Sequence, residues 1–567
     1  MPHGVSRAPR PLCASQTGRR TYTLTMRIHS DPVTPEAPPD MNQTMTDLLD
    51  HPITATLPGL RPGTTEVRVR LAPSPTGSVH IGNVKTGLYN WLLARGQAQR
   101  LGLNGTFLLR IEDTDRNRYV EDAAEQLLDI LRWFGLEWQE GPDIGGPHAP
   151  YVQSERLPVF QERARHLVAT GHAYPCFCTP ERLQAVREAQ QARHEPTGYD
   201  RHCRWIPAGE ADARIAAGEP HVIRFRTPRD GETIVQDVIR GPIETANATL
   251  EDAVLLKTDG YPTYHLAHIV DDHLMEITHV IRGAEWIPSA PLHVLIYAAF
   301  GWELPAFIHV PLIHAPGGGK LSKRHGATKM AEFREQGYLP EALMNYLALL
   351  GWSFDATTEI FSPEDLLEKF SIERLSASPA IFDYHKLRWF NQYYINHILT
   401  LDDLTGRVMP FLARAGMIDA EAARTDHPRH AVVREVTALL KDRLETLADA
   451  PEHMAPFLVD ELPDYDSALL VPKKTEPAAA RRGLEAALTL LPAVDLIDEA
   501  ATEVRFRALA EELGLKTGQL FMAIRVAATG RTQSPGLFGT LRVIGPDRLQ
   551  RRFEDAITRL GTLPPAE

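Results

Sequence analysis

A strand that breaks on two prolines and a glycine, then opens into a helix, constrains this chain more than any other feature. Val67, Val69 and Leu71 alternate as a buried strand does, Pro73, Pro75 and Gly77 interrupt the pattern, and an apolar helical stretch runs from Val84 to Arg95. Strand, tight turn and helix start in that order make a place where phosphate is held. A helix N-terminus presents unpaired N–H groups and the positive end of its dipole to anionic oxygens. His80 and Gly82 stand at that start: an imidazole there can bond phosphate oxygens as charge builds, and a glycine lets an adenosine approach the backbone. Roughly 240 residues later, Gly317-Gly318-Gly319 is followed by Lys320-Leu-Ser-Lys323-Arg324. Lysines on a loop suit triphosphate oxygens, since each is a point charge on a long stem. Together the two stretches read as an ATP site.

At 567 residues the chain is too long for one core, and three or more domains are expected. Its composition, 43% hydrophobic and 23% charged, is that of a globular protein, and no apolar run is long enough to span a bilayer. Four cysteines do not make a disulfide framework in a chain of this size, which points to a cytoplasmic protein. The net charge of −13 does not exclude RNA, because a local basic face suffices. The first 30 residues hold five arginines and no acid. Residues 1–65 read as a disordered extension or a misannotated start, with Met41 or Met45 nearer the true beginning; an organellar transit peptide is the alternative.

From Glu66 to Pro150 strands alternate with helices (Val67–Ala72, Val84–Arg95, Thr106–Ile111, Val120–Phe134), which predicts a Rossmann-type parallel α/β sheet. Residues 151–238 change character, to helices at Arg156–Ala169 and Pro180–Arg193 with short irregular strands, and read as an inserted α+β domain. The α/β pattern resumes over 239–320 with Ala253–Lys257, His279–Ile281 and Pro291–Phe300, so the catalytic domain is split, its halves being 66–150 and 239–320. Residues 321–375 carry the lysine loop and a connecting region, and 376–567 are expected to be all helix. The helical periodicity covers Pro363–Phe370, Asp402–Ala415, Ala431–Asp449, Ala478–Leu491, Thr502–Leu513 and Pro546–Leu560.

Further stretches bear on identity: Arg110-Ile-Glu-Asp-Thr-Asp115, Gln153-Ser-Glu-Arg156, Asp259-Gly-Tyr-Pro-Thr-Tyr-His265, Val270-Asp-Asp-His273, Val280-Ile-Arg-Gly283, Lys386-Leu-Arg-Trp-Phe-Asn391 and Pro535-Gly-Leu-Phe538. With His80–Asn83 and Lys320–Arg324 as the two signature motifs of class I aminoacyl-tRNA synthetases, residues 67–560 resemble the bacterial-type glutamyl-tRNA synthetases. The resemblance implies ATP-dependent activation of L-glutamate to an adenylate, with magnesium accompanying the ATP. Transfer to the 2′-hydroxyl of the terminal adenosine of tRNA(Glu) then follows. It also implies that bound tRNA is needed before activation, and a monomeric enzyme is expected.

By motif position the resemblance assigns His80, Gly82, Asn83, Glu285 and Lys323 to ATP, with His80, Gly82, Lys320 and Lys323 as the catalytic set. Arg70, Ala72, Ser74, Glu112, Tyr264, His268 and Arg282 go to glutamate. The chemistry suits that substrate, whose two carboxylates call for cationic forks at Arg70 and Arg282 and whose ammonium calls for the acid Glu112. His268 stands where some members have asparagine, and a histidine can still donate to a carboxylate. The insert is expected to receive the acceptor end of tRNA and the helical region to hold the anticodon. Arg443 there matches an arginine that reads the third anticodon base, a surface helix arginine being the bland alternative. Some relatives bind zinc through Cys-x-Cys and a later Cys-x-His. Here Cys176, Cys178 and Cys203 lack a fourth ligand, Trp205 being unable to serve, and no metal site is expected. Glutaminyl-tRNA synthetase is the nearest alternative, though its anticodon region is β-barrel. A non-synthetase nucleotidyltransferase of the same fold would need neither the insert nor the helical third.

Overall fold

The computed structural model of the chain describes residues 57–564 apart from 76, 117–119, 121, 320 and 424. The expectation for the first residues therefore lies outside the described part up to 56. Leu57 is already packed in the core, and Pro58 accepts a hydrogen bond from His279 Nε2 (3.1 Å) through its carbonyl, so the ordered chain includes residues that sequence reasoning placed in the extension.

The alternation of valine and arginine builds the first strand, β1 (Glu66–Leu71), which pairs in parallel with β2 (Asn104–Leu109) in the register Val69↔Phe107. Between them the chain makes helix α1 (Ile81–Leu92) and a π-helical turn, Leu93–Ala98. Gly105 admits this turn onto β2: a β-carbon there would meet the Ala94 carbonyl oxygen at 1.9 Å. Val67, Val69, Val84, Leu88, Phe107, Ile281 and Ile308 share one core. Arg68 and Arg70, on the other face of β1, are also buried, as both faces of a parallel sheet are covered.

Downstream, strands β3 (Ala173–Cys176), β4 (Val222–Phe225) and β7 (Val254–Leu256) form a separate antiparallel sheet. The hairpin of β5 (Glu232–Asp237) and β6 (Gly241–Ala246) joins β8 (His279–Gly283) and β9 (Ala306–Val310) in the order β6-β5-β9-β8. Two expectations change here. Ala253–Lys257, read as a strand of the resumed catalytic sheet, pairs instead with β4 of the insert (Arg224↔Val254, Ile223↔Leu256). Conversely, β5, which falls within 151–238, meets β9 at Asp237↔Phe307. Short strands reveal their type in sequence but not their sheet, because pairing is decided by residues far along the chain. At the start of β8, the Thr278 N–H donates to the Arg68 carbonyl (2.9 Å) and ties this sheet to β1. The helix between the sheets, α2 (Tyr264–Leu274), carries most of the residues discussed below.

Beyond Leu401 the chain is helical around a second core containing Leu404, Val433, Leu484, Phe506, Ile524 and Phe553. Helices at Thr517–Thr529 and Leu537–Ile544 add to those expected. The stretch Ala431–Asp449, read as one helix, is broken. The helix spans Pro428–Leu440 and gives way to 3-10 turns at Lys441–Arg443 and Leu447–Asp449. Thr446 and Asp449 form a capping box that starts the second turn, the Thr446 N–H donating to Asp449 Oδ2 (2.7 Å). No helix among the described residues is long and apolar enough to cross a membrane.

Candidate active site

His80 is the N-cap of α1: its Nδ1 accepts from the Gly82 N–H at 3.2 Å, so one of the free donors of the first turn is satisfied by the side chain itself. Asn83 is exposed on the same turn. The backbone around His80 is paired antiparallel with residues just beyond the lysine loop. The Ile81 N–H donates to the Thr328 carbonyl (3.0 Å) and the Met330 N–H to the Val79 carbonyl (3.0 Å). The start of α1 is thus joined by main-chain bonds to the segment that follows the second motif. Lys323 opens a 3-10 turn at Lys323–His325, Lys320 lies outside the described residues, and so does the side chain of Lys323.

One turn further along α1 is a residue that sequence reasoning missed. Lys85 is buried, and its Nζ donates to the carbonyls of Pro311 (2.7 Å) and Leu350 (3.0 Å), which lie on either side of the lysine loop. Burial pushes its ammonium down to about 7, with the charge of Glu285 opposing. The only signal available was a lysine in an otherwise apolar helical stripe. Glu285 folds back over the end of β8, where a β-carbon on Gly283 would meet Glu285 Oε2 at 2.0 Å.

Arg70 and Arg282 are both buried, but they are held differently. Arg70 forks onto Asp272 of α2, Nε to Oδ1 at 3.0 Å and Nη2 to Oδ2 at 3.1 Å. Arg110 also reaches Asp272 (Nη1 to Oδ1, 2.9 Å) and donates through Nη2 to Glu112 Oε1 (3.0 Å). Burial resists ionisation of Asp272, yet the two guanidinium charges outweigh it and hold the carboxyl well below its usual range. Glu112 is raised, because burial exceeds the stabilisation it draws from Arg110 and Arg70. Backbone bonds from Arg110 N–H to the Leu71 carbonyl and from Glu112 N–H to the Pro73 carbonyl (3.0 Å each) set Glu112 beside half-buried Ala72 and exposed Ser74.

Arg282 has only neutral polar partners among the described residues: Nε donates to His309 Nε2 (3.1 Å), Nη2 to His293 Nδ1 (3.1 Å) and Nη1 to the Tyr264 hydroxyl (3.4 Å). Tyr264 stacks on Trp286 (4.0 Å between centroids) and on His268 (4.3 Å). Burial raises its hydroxyl, which also feels the charges of Arg282, Glu112 and Arg70, so Tyr264 lies where the assigned glutamate residues converge. His268 differs from expectation. Its Nδ1–H donates to the Tyr264 carbonyl (2.7 Å), and burial holds the ring neutral, so Nε2 is left as an acceptor and the donor foreseen for a carboxylate is already engaged.

Arg443 stands apart from this cluster, on the exposed 3-10 turn of the helical region, where its Nη2 donates to the Ser534 carbonyl (2.8 Å). Arg525, which sequence reasoning did not single out, donates through Nη1 to Ser534 Oγ (2.8 Å) and to the Pro535 carbonyl (3.2 Å). The insert gathers its cysteines: ligand atoms of Cys176, Cys178 and Cys203 lie within 4.8 Å of one another, and the Tyr199 hydroxyl is 3.3 Å from Cys176 Sγ. The expectation of no metal rested on a missing fourth donor. Among the described residues the cluster offers three thiols; the Tyr199 hydroxyl beside it accepts from Cys176 Sγ and from the Cys203 N–H (2.9 Å), and burial raises it.

Parallel strand pairs on either side of an insert, with the backbone flanking a helix-start histidine bonded to the segment that follows a lysine loop, are what a class I synthetase catalytic domain would show. Residues 66–389 match the family described as tRNA synthetases class I (E and Q), catalytic domain, and residues 403–557 match the anticodon binding domain family. The chain belongs to the class I tRNA synthetases of the E and Q group. More narrowly, it is similar to proteins named glutamate–tRNA ligase. One from Dehalococcoides mccartyi strain BAV1 is 47% identical over 88% of this chain and 99% of its own length, and one from Roseiflexus castenholzii is 46% identical over 87% and 96%. The crystal structure of a glutamate tRNA ligase from Elizabethkingia meningosepticum, in complex with its amino acid, superposes with a TM-score of 0.76 at 34% identity, covering 87% of this chain and 99% of that one.

Proposed function

We propose that this chain attaches L-glutamate to tRNA(Glu) through a glutamyl-adenylate formed from ATP. The observation that carries the reading is Arg282, a buried guanidinium whose hydrogen-bond partners among the described residues are all neutral and which can therefore neutralise an incoming carboxylate. Tyr264 adds a hydroxyl beside it, Glu112 an acid for the ammonium, and Arg70 the Nη1 that Asp272 leaves open. Ala72, Ser74 and His268 complete the amino-acid pocket. A site made of buried polar groups rejects analogues that leave them unpaired.

ATP lies along the start of α1, with His80, Gly82 and Asn83 at its phosphates and Glu285 at its nucleoside end. Lys320 and Lys323, with magnesium, neutralise the triphosphate as pyrophosphate departs. The acceptor end of the tRNA enters along the insert, its terminal 2′-hydroxyl attacks the adenylate, and Arg443 contacts the anticodon. The free cysteines suit a reducing cytoplasm.

Charging assays with purified glutamate and glutamine tRNAs, each with either amino acid, test the reading. Glutamate on tRNA(Glu) is expected, and attachment of glutamine by the folded enzyme would overturn it.

A further inference from the structure

The guanidinium of Arg282 needs an orienting partner that does not cancel its charge, and three neighbouring strands supply one. Arg282 on β8 is the register partner of His309 on β9, and β9 pairs with β5 at its last residue, Asp237. The three side chains form a line across the sheet: Asp237 Oδ2 to His309 Nδ1 at 2.7 Å, then His309 Nε2 to Arg282 Nε at 3.1 Å. All three are buried.

We infer that Asp237 and His309 are positioning residues for glutamate recognition, acting through Arg282. This rests on the reading that Arg282 receives a substrate carboxylate, and it adds to that reading how the fork is aimed. Asp237 is itself fixed by backbone donors, the N–H groups of His309 (3.0 Å), Ile239 (3.1 Å) and Arg240 (3.0 Å), so its carboxylate orientation is set by the sheet end. An ionised carboxylate accepts only, so the proton of neutral His309 sits on Nδ1. Nε2 must then present its lone pair to Arg282. The opposite tautomer would aim a hydrogen at the guanidinium and push it away.

The consequence is directional. His309 takes the Nε edge, whereas Nη1 and Nη2 each carry two hydrogens and spend at most one apiece on Tyr264 and His293. A carboxylate is therefore received end-on across Nη1 and Nη2. His293 repeats the device: accepting at Nδ1 leaves its proton on Nε2, which donates to His265 Nδ1 (3.1 Å). The counter-charge of Asp237 stays one imidazole away, so the guanidinium is oriented without being neutralised by contact.

The isosteric Asp237→Asn tests this, since an amide can donate to Nδ1 and reverse the tautomer while keeping the volume. The full chain, with tRNA and ATP present, is expected to show KM for glutamate raised about tenfold or more, with KM for ATP unchanged and weaker binding of a non-hydrolysable glutamyl-adenylate analogue. His309→Gln, which can still accept from Nε, is expected to recover most of what His309→Leu loses. If folded Asp237→Asn and His309→Leu both keep the wild-type KM for glutamate while Arg282→Ala raises it, the positioning role is overturned and the glutamate site stands. If Arg282→Ala itself leaves that KM unchanged, the glutamate-site reading fails, and the inference with it. Should Asp237→Asn not fold, the Gln-against-Leu contrast at His309 decides, equal losses counting against the proposal.

Discussion

Arg70 and Arg282 are both buried guanidiniums on strands of the catalytic domain, yet one is matched by a carboxylate and the other by imidazoles. The difference separates two uses of a buried charge. Paired with Asp272, Arg70 helps hold β1 to α2, and removing either partner would strand the other's charge in a low-dielectric interior. Held by His309 and His293, Arg282 meets no carboxylate among the described residues, as the proposed glutamate contact requires. The first arrangement ties the guanidinium to the stability of the fold, whereas the second leaves it without a carboxylate partner among the described residues.

The largest effect expected from this contrast is for Arg282→Ala. It should lower kcat/KM for glutamate by about 10²–10³-fold in charging assays, with a thermal midpoint close to wild type. A midpoint that falls as far as activity would erase the distinction. Arg70→Ala should add a loss of stability that Arg282→Ala lacks, costing about 3–5 kcal/mol in denaturant unfolding because Asp272 then keeps Arg110 as its guanidinium partner.

Lys85 extends the comparison to a buried amine whose hydrogen bonds among the described residues go to carbonyls. Its folded value near 7 lies below the ordinary 10.5, so between those values the unfolded chain binds a proton that the folded chain does not. Its contribution therefore makes stability rise with pH from about 7 upward, and below that the cost of charging the buried amine is already complete. Lys85→Met should flatten that rise, which unfolding curves at several alkaline pH values would detect. The smallest effect expected is for His268→Asn. It returns a side-chain donor at the cost of a ring stacked on Tyr264, and KM for glutamate should shift by less than about tenfold, corresponding to less than ~1.4 kcal/mol. A larger change would mean that His268 contacts the substrate more directly than its bond to Tyr264 suggests.

Residues whose neighbours lie close in sequence were the legible ones. β1 could be read because Val67, Val69 and Leu71 alternate and the prolines mark where the strand stops, and His80 because a helix start follows at once. Arg282 could be read only through its motif. Asp237, His309 and His293 were not legible, since their roles arise from the register of β5, β9 and β8 and from a helix across the sheet. Asp272 lies in a stretch singled out in the sequence, but its bond to Arg70 joins residues 202 positions apart. The turn that carries Arg443 was hidden by helical periodicity that continues past Leu440, where the capping box at Thr446 interrupts it. Tyr199 meets the cysteines through hydrogen bonds from Cys176 and Cys203, a proximity that no spacing rule marks.

The ladder joining Val79–Ile81 to Thr328–Met330 also bears on the order of synthesis. Residues that flank the proposed nucleotide site from both sides are made far apart in time, and the second strand of that ladder emerges only after the insert and both halves of the sheet. A nascent chain ending before Thr328 cannot form the backbone bonds that flank His80. Non-local closure of this kind comes late in folding, after the loop entropy has been overcome. Partly made chains thus lack the backbone ladder beside His80.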